Sequence, residues 1–94
     1  MCIVVKHPSF DAYVHEIELN APDIGIHDFL IGVKWELEHG AKLGIYIPEL
    51  DVYRITLPRI QLQYKKVEAV GERTRITLLR VVLRPTSGGI AESN

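Results

Sequence analysis

The hydrophobic period of this chain changes at Gly44, and that change constrains the fold more than any other feature. Before it, Ile26, Leu30, Val33, Leu37 and Ala41 recur every three or four residues, a spacing that gathers side chains into one helical stripe with Phe29 on its edge. After it, Ile45 and Ile47, then Tyr53, Ile55 and Leu57, then Ile60, Leu62 and Tyr64 alternate with other residues at the strand period of two. Residues 31–39 also alternate, Ile31, Val33, Trp35, Leu37 and His39 against Gly32, Lys34, Glu36 and Glu38, so a strand competes there. The helix is preferred because its stripe lasts four turns, because Leu, Lys, Glu and Ala are good helix formers, and because Glu38 precedes Lys42 by four residues. Gly40 or Gly44 would end it in a left-handed conformation.

The rest of the chain reads around that helix. Cys2–Val5 is a short apolar run, and Tyr13, His15, Ile17 and Leu19 alternate with Val14, Glu16 and Glu18 after the turn-forming Pro8, Ser9 and Asp11. An N-terminal β-hairpin is predicted. Asn20-Ala-Pro-Asp23 supplies helix-start chemistry. Toward the C-terminus, strands 60–70 and 74–84 would be joined by a turn at Gly71-Glu72. The second of these is apolar on both faces, with Ile76, Leu78 and Val82 on one and Leu79, Val81 and Leu83 on the other. The predicted fold is a single α+β domain over residues 1–85: an N-terminal β-hairpin and one amphipathic helix, residues 26–40, packed on an antiparallel sheet from residues 45–84. Residues 86–94, polar and Gly-rich, are predicted to be a disordered tail.

Charge divides the chain at the same scale. Residues 1–53 hold nine acids and three bases, for −6, whereas residues 54–85 hold eight bases and two acids, for +6. Contact guided by charge is expected, within the fold, between copies, or with an acidic partner. Arg54, Arg59, Lys65, Lys66, Arg73 and Arg75, with Tyr53 and Tyr64 nearby, have the composition of a nucleic-acid surface. Their spacing does not bring them into one groove, so neutralising the acidic half is the first reading and nucleic acid the second.

Reactive constellations are not assembled. No two of His7, His15, His27 and His39 have the spacing of a helical metal site, and His15 with Glu16 and Glu18 reads as a solvated face. Cys2 is alone, which excludes an internal disulfide. Ser9 has no GxSxG context, and neither GxGxxG nor GxxxxGK occurs. The expectation is therefore a non-enzyme without metal or cofactor. No apolar run reaches the roughly 20 residues needed to cross a bilayer, and the N-terminus lacks signal-peptide features, so a cytoplasmic chain without a membrane partner is expected.

The segment Asp28–Leu43, DFLIGVKWELEHGAKL, followed by Tyr53–Val67, YRITLPRIQLQYKKV, resembles the second trypsin-co-occurring domain family. Leu30-Ile31, Val33-Lys34 and Glu36-Leu37 occupy the helix motif, and Ile60-Gln61-Leu62 the strand motif. Lys34 stands where Arg is usual, and Gln61 and Gln63 replace commoner acids. The resemblance implies a small non-catalytic domain associated with peptidase-containing bacterial conflict systems, and it supplies no catalytic residue.

Trp35 is the sharpest single residue. On the helix it projects with Ile31 nearly opposite the buried stripe, which calls for a second layer or a partner. Ile31, Trp35, Leu79, Val81 and Leu83 are the expected interface of a protein–protein interaction module, self-associating or an accessory subunit of a bacterial defence or conflict assembly. A nucleic-acid-binding protein, or a phage or mobile-element structural or inhibitory protein, are the alternatives.

Overall fold

The computed structural model describes residues 2–68, 71 and 73–85; the predicted disordered tail 86–94 lies outside them, as does Glu72 of the predicted turn. Strand β1 (Ile3–Lys6) leads into helix α1 (Phe10–Asn20), a short 3-10 turn (Pro22–Ile24) and helix α2 (Ile26–Glu38). Four strands follow: β2 (Ile45–Ile47), β3 (Val52–Thr56), β4 (Ile60–Val67) and β5 (Arg75–Leu83). They form one sheet in the order β1-β5-β4-β3-β2, antiparallel except for the parallel β1–β5 pair. The α+β class stands, with two helices on a mixed sheet.

The predicted N-terminal hairpin is wrong, and the reason is a competing period. Tyr13, His15, Ile17 and Leu19 do alternate, but Phe10, Val14, Ile17 and Ala21 recur at intervals of four, three and four, and these are the residues that become buried. A helix carries that set into the core. A hairpin would have split it between two faces. Freed from hairpin pairing, β1 crosses to the far edge of the sheet and runs parallel to β5, Val4 opposite Ile76 and Lys6 opposite Leu78.

The stretch Asn20–Asp23 ends a helix before the next one begins. The Ala21 N–H donates to the Ile17 carbonyl, and Pro22, which cannot continue the ladder, opens the 3-10 turn. Gly25, with φ +67°, then redirects the chain into α2 without any side-chain cap. The predicted helix stripe holds through Leu37, with Ile26, Val33 and Leu37 buried and Phe29 and Leu30 packed partly against the core, but the helix ends at Glu38 and leaves Ala41, the last predicted member, in the loop beyond it. Gly40 follows at φ +85° and is, of the two glycines expected to stop the helix, the one next to its end.

One core joins both helices to one face of the sheet, where Phe10, Ile17 and Leu37 meet Leu62, Tyr64, Ile76 and Val81. On that face Tyr46, Tyr53 and Tyr64 lie opposite one another across β2, β3 and β4. The Tyr53 and Tyr64 rings stack at 5.1 Å, and the Tyr64 hydroxyl donates to the Leu43 carbonyl at 2.6 Å, tying the loop after α2 to the sheet.

A bulge decides the faces of β5. Gln63 pairs with Arg80 and the next residue, Tyr64, with Leu78, so Leu79 is passed over. Ile76 and Leu78 face the core before the bulge; Val81 faces it afterwards.

Candidate functional site

Successive residues of an α-helix are turned by about 100°. On α2 this places Asp28, Ile31, Gly32 and Trp35, with His39 just beyond the last turn, on the side opposite Val33 and Leu37. Ile31 is 67 % exposed and Trp35 56 %. The Trp35 indole does not hang free, because the His39 ring stacks on it at 4.0 Å with an interplanar angle of 25°. His39 Nδ1 lies 2.7 Å from the Trp35 carbonyl oxygen, so that nitrogen carries the proton and satisfies a last-turn carbonyl. The ring is thereby pinned by a backbone bond below and an aromatic face beside it. Lys34 and Glu38 pair along the flank at 3.4 Å.

Beside this stripe, a groove of about 380 Å³ runs between β1, α1 and α2. Val4, Phe10, Val14 and Leu30 line it together with His27 and Lys34, and Ile31 belongs both to the groove lining and to the exposed stripe. At the rim, Lys6 donates to Asp11 at 2.9 Å. The apolar surface is therefore continuous from the groove over Ile31 to Trp35.

The other expected interface residues fare differently. Val81 is fully buried beneath the helices and cannot form a surface; the bulge at Leu79 turns it inward. Leu83 packs partly against the same core, and Leu79 is half-buried. Of the five expected interface residues, Ile31 and Trp35 alone stand out together.

The six basic residues do not form one surface. Arg54, Lys65 and Arg75 occupy sheet positions that alternate with the core-facing residues, hence the face away from the helices. Arg54 is half-buried, and its Nε is sealed from solvent without a hydrogen-bond partner among the described residues. Lys66 lies on the helix side, its side chain 24 % exposed and 3.3 Å from Glu68. Arg59 pairs with Asp23, and Lys65 with Asp51 at 3.5 Å. Those two pairs connect the acidic half of the sequence to the basic half. Arg73 is exposed ahead of β5. The three tyrosines on the sheet lie on the face opposite Arg54, Lys65 and Arg75, so bases could not stack beside those cations.

Two features escaped sequence reasoning. Gly32 sits mid-helix on the exposed stripe with open space over it, a placement readable only once the helix is assigned. His7 Nδ1 and Ser9 Oγ approach to 2.8 Å at the start of α1, and the Ser9 N–H also donates to Nδ1. Residues two apart in one turn make this a local lock of the β1–α1 connection. Among the described residues, no three His, Cys, Asp or Glu side chains converge as metal ligands, and no helix is long and apolar enough to cross a membrane.

Comparison with known proteins returns no family model, no curated protein and no solved structure that matches this chain.

Proposed function

We propose that this chain is a non-enzymatic protein–protein interaction module that self-associates or serves as an accessory subunit of a larger assembly. The observation that carries this reading is the exposed pair Ile31 and Trp35 on α2, contiguous with a groove whose lining is mostly apolar. Large aromatic side chains at the centre of an apolar patch are the groups that contribute most to protein association. The His39 ring, bonded to the Trp35 carbonyl and stacked on the indole, strengthens the case, since a side chain ordered beforehand loses less entropy on binding. The resemblance of Asp28–Leu43 and Tyr53–Val67 to the trypsin-co-occurring domain makes a bacterial defence or conflict assembly the setting of choice.

Sedimentation velocity over a concentration series tests the reading. The wild-type chain is expected to self-associate, and Trp35→Ala to sediment as a monomer with its helical circular dichroism intact. A wild-type chain that stays monomeric at every concentration overturns self-association. A Trp35→Ala variant that assembles like wild type removes α2 as the site.

A second reading has one observation in its favour, the shared sheet face of Arg54, Lys65 and Arg75. Phosphate contacts would make binding strongly salt-dependent. Failure to bind heparin or DNA at low salt would dispose of it.

A further inference from the structure

Gly32 is the unexplained residue of α2. Glycine weakens a helix interior, and one use of it there is to let another group approach the backbone closely. Among the described residues nothing does: a Cβ at Gly32 would meet no atom within 4 Å. The notch therefore faces outward, next to the exposed Ile31 and Trp35.

The stripe is also self-complementary. Gly32 and Trp35, a notch and a large ring, are centred on the point between Val33 and Lys34. Asp28 and His39, an acid and an imidazole at the two ends, are centred on the same point. A single two-fold axis through that point sets each Trp35 against a Gly32 and each Asp28 against a His39. Parallel pairing would instead face acid with acid and ring with ring. With Nδ1 donating to the Trp35 carbonyl, Nε2 is the remaining ring nitrogen of His39, and it donates to a facing Asp28 carboxylate when the imidazole carries both protons. Lys34 and Glu38 pair with each other along the flank and so add no unpaired charge to the seam.

We propose that α2 packs antiparallel against α2 of a second copy, each Trp35 seated in the Gly32 notch opposite and each Asp28 beside the facing His39. Closed two-fold pairing of this kind uses one patch twice and leaves nothing to polymerise. The area two short helices bury lies at the small end for stable complexes, so the dimer should be weak and concentration-dependent. The inference rests on the self-association reading above and deepens it by naming the occupant and the geometry.

The test uses the full chain in sedimentation velocity, with circular dichroism to confirm folding. Gly32→Leu adds apolar surface and a better helix former, yet it fills the notch, so it should weaken the dimer at least tenfold while leaving the fold intact. In a Cys2→Ser background, a mixture of Asp28→Cys and His39→Cys chains should cross-link to one another under mild oxidation, and neither should cross-link to itself. If Gly32→Leu assembles as well as wild type while Trp35→Ala dissociates, the antiparallel geometry is overturned and the interaction reading survives. Self-cross-linking of Asp28→Cys alone would indicate parallel pairing and would likewise overturn it. A wild-type monomer defeats both.

Discussion

Helix α1 turns Asp11, His15 and Glu18 to solvent, whereas α2 turns Ile31 and Trp35. On their inner sides the two are alike: α1 buries Phe10, Val14 and Ile17, and α2 buries Ile26, Val33 and Leu37. Both satisfy the core with one stripe. The difference is that α1 has a single large apolar residue left over, Leu19, which is ordinary for a surface, while α2 has two adjacent ones one turn apart. Core demand therefore accounts for α1 almost completely and for α2 only in part. The surplus on α2 is what motivates the proposed interface.

The comparison breaks first if the inner stripes are unequal. Phe10→Ala and Leu37→Ala each remove a fully buried side chain and should each destabilise the domain by about 2–5 kcal/mol in chemical denaturation. A loss near zero for either would mean that its helix is not part of the common core.

The loop after α2 offers a sharper probe of how the helix layer joins the sheet. Gly44 has φ +82°, and a Cβ there would fall on the Arg54 backbone carbonyl. Gly44→Ala should cost at least about 1–3 kcal/mol from the backbone conformation alone, with the clash in addition. Gly32→Ala, on the open side of α2, should instead stabilise the monomer by about 1 kcal/mol. Two glycines of one sequence region would then respond with opposite signs, and equal responses would contradict the placement of both.

The smallest expected effect concerns the charged contacts that tie the helical half to the sheet. The Arg59 guanidinium donates to Asp23 and holds its carboxyl below the ordinary value of 3.8; the Tyr46 hydroxyl, then Lys65, do the same for Asp51. A carboxyl lowered in the folded state contributes stability above its unfolded value, and that contribution is lost as pH falls through the folded value. The melting temperature of the wild type should therefore decline more steeply below pH 3.8 than that of Asp23→Asn. Both carboxylates are exposed, so the difference should be small. Parallel declines would assign the acid sensitivity elsewhere.

Much of this molecule was legible in order of sequence. The α2 stripe, its stop at a glycine, the alternation of β3 and β4, and the outward Trp35 all follow from local sequence, because each needs only a residue's neighbours two to four positions away. The charge split was equally plain, although its partial neutralisation through Asp23–Arg59 and Asp51–Lys65 depends on residues brought together from distant positions. The N-terminal segment satisfied two periods at once. Only the core could choose between them, by burying Phe10, Val14 and Ile17 together.

Local periodicity is enough to place one amphipathic helix ahead of a run of strands and to leave Ile31 and Trp35 surplus to its buried stripe. Tertiary structure decided that β1 crosses to pair in parallel with β5, and that the bulge at Leu79 sends Val81 inward. The physical reason is range. Helical stripes and alternation are fixed by steric contacts within a turn or across a pleat, whereas strand order and register are settled by burying apolar faces drawn from opposite ends of the chain.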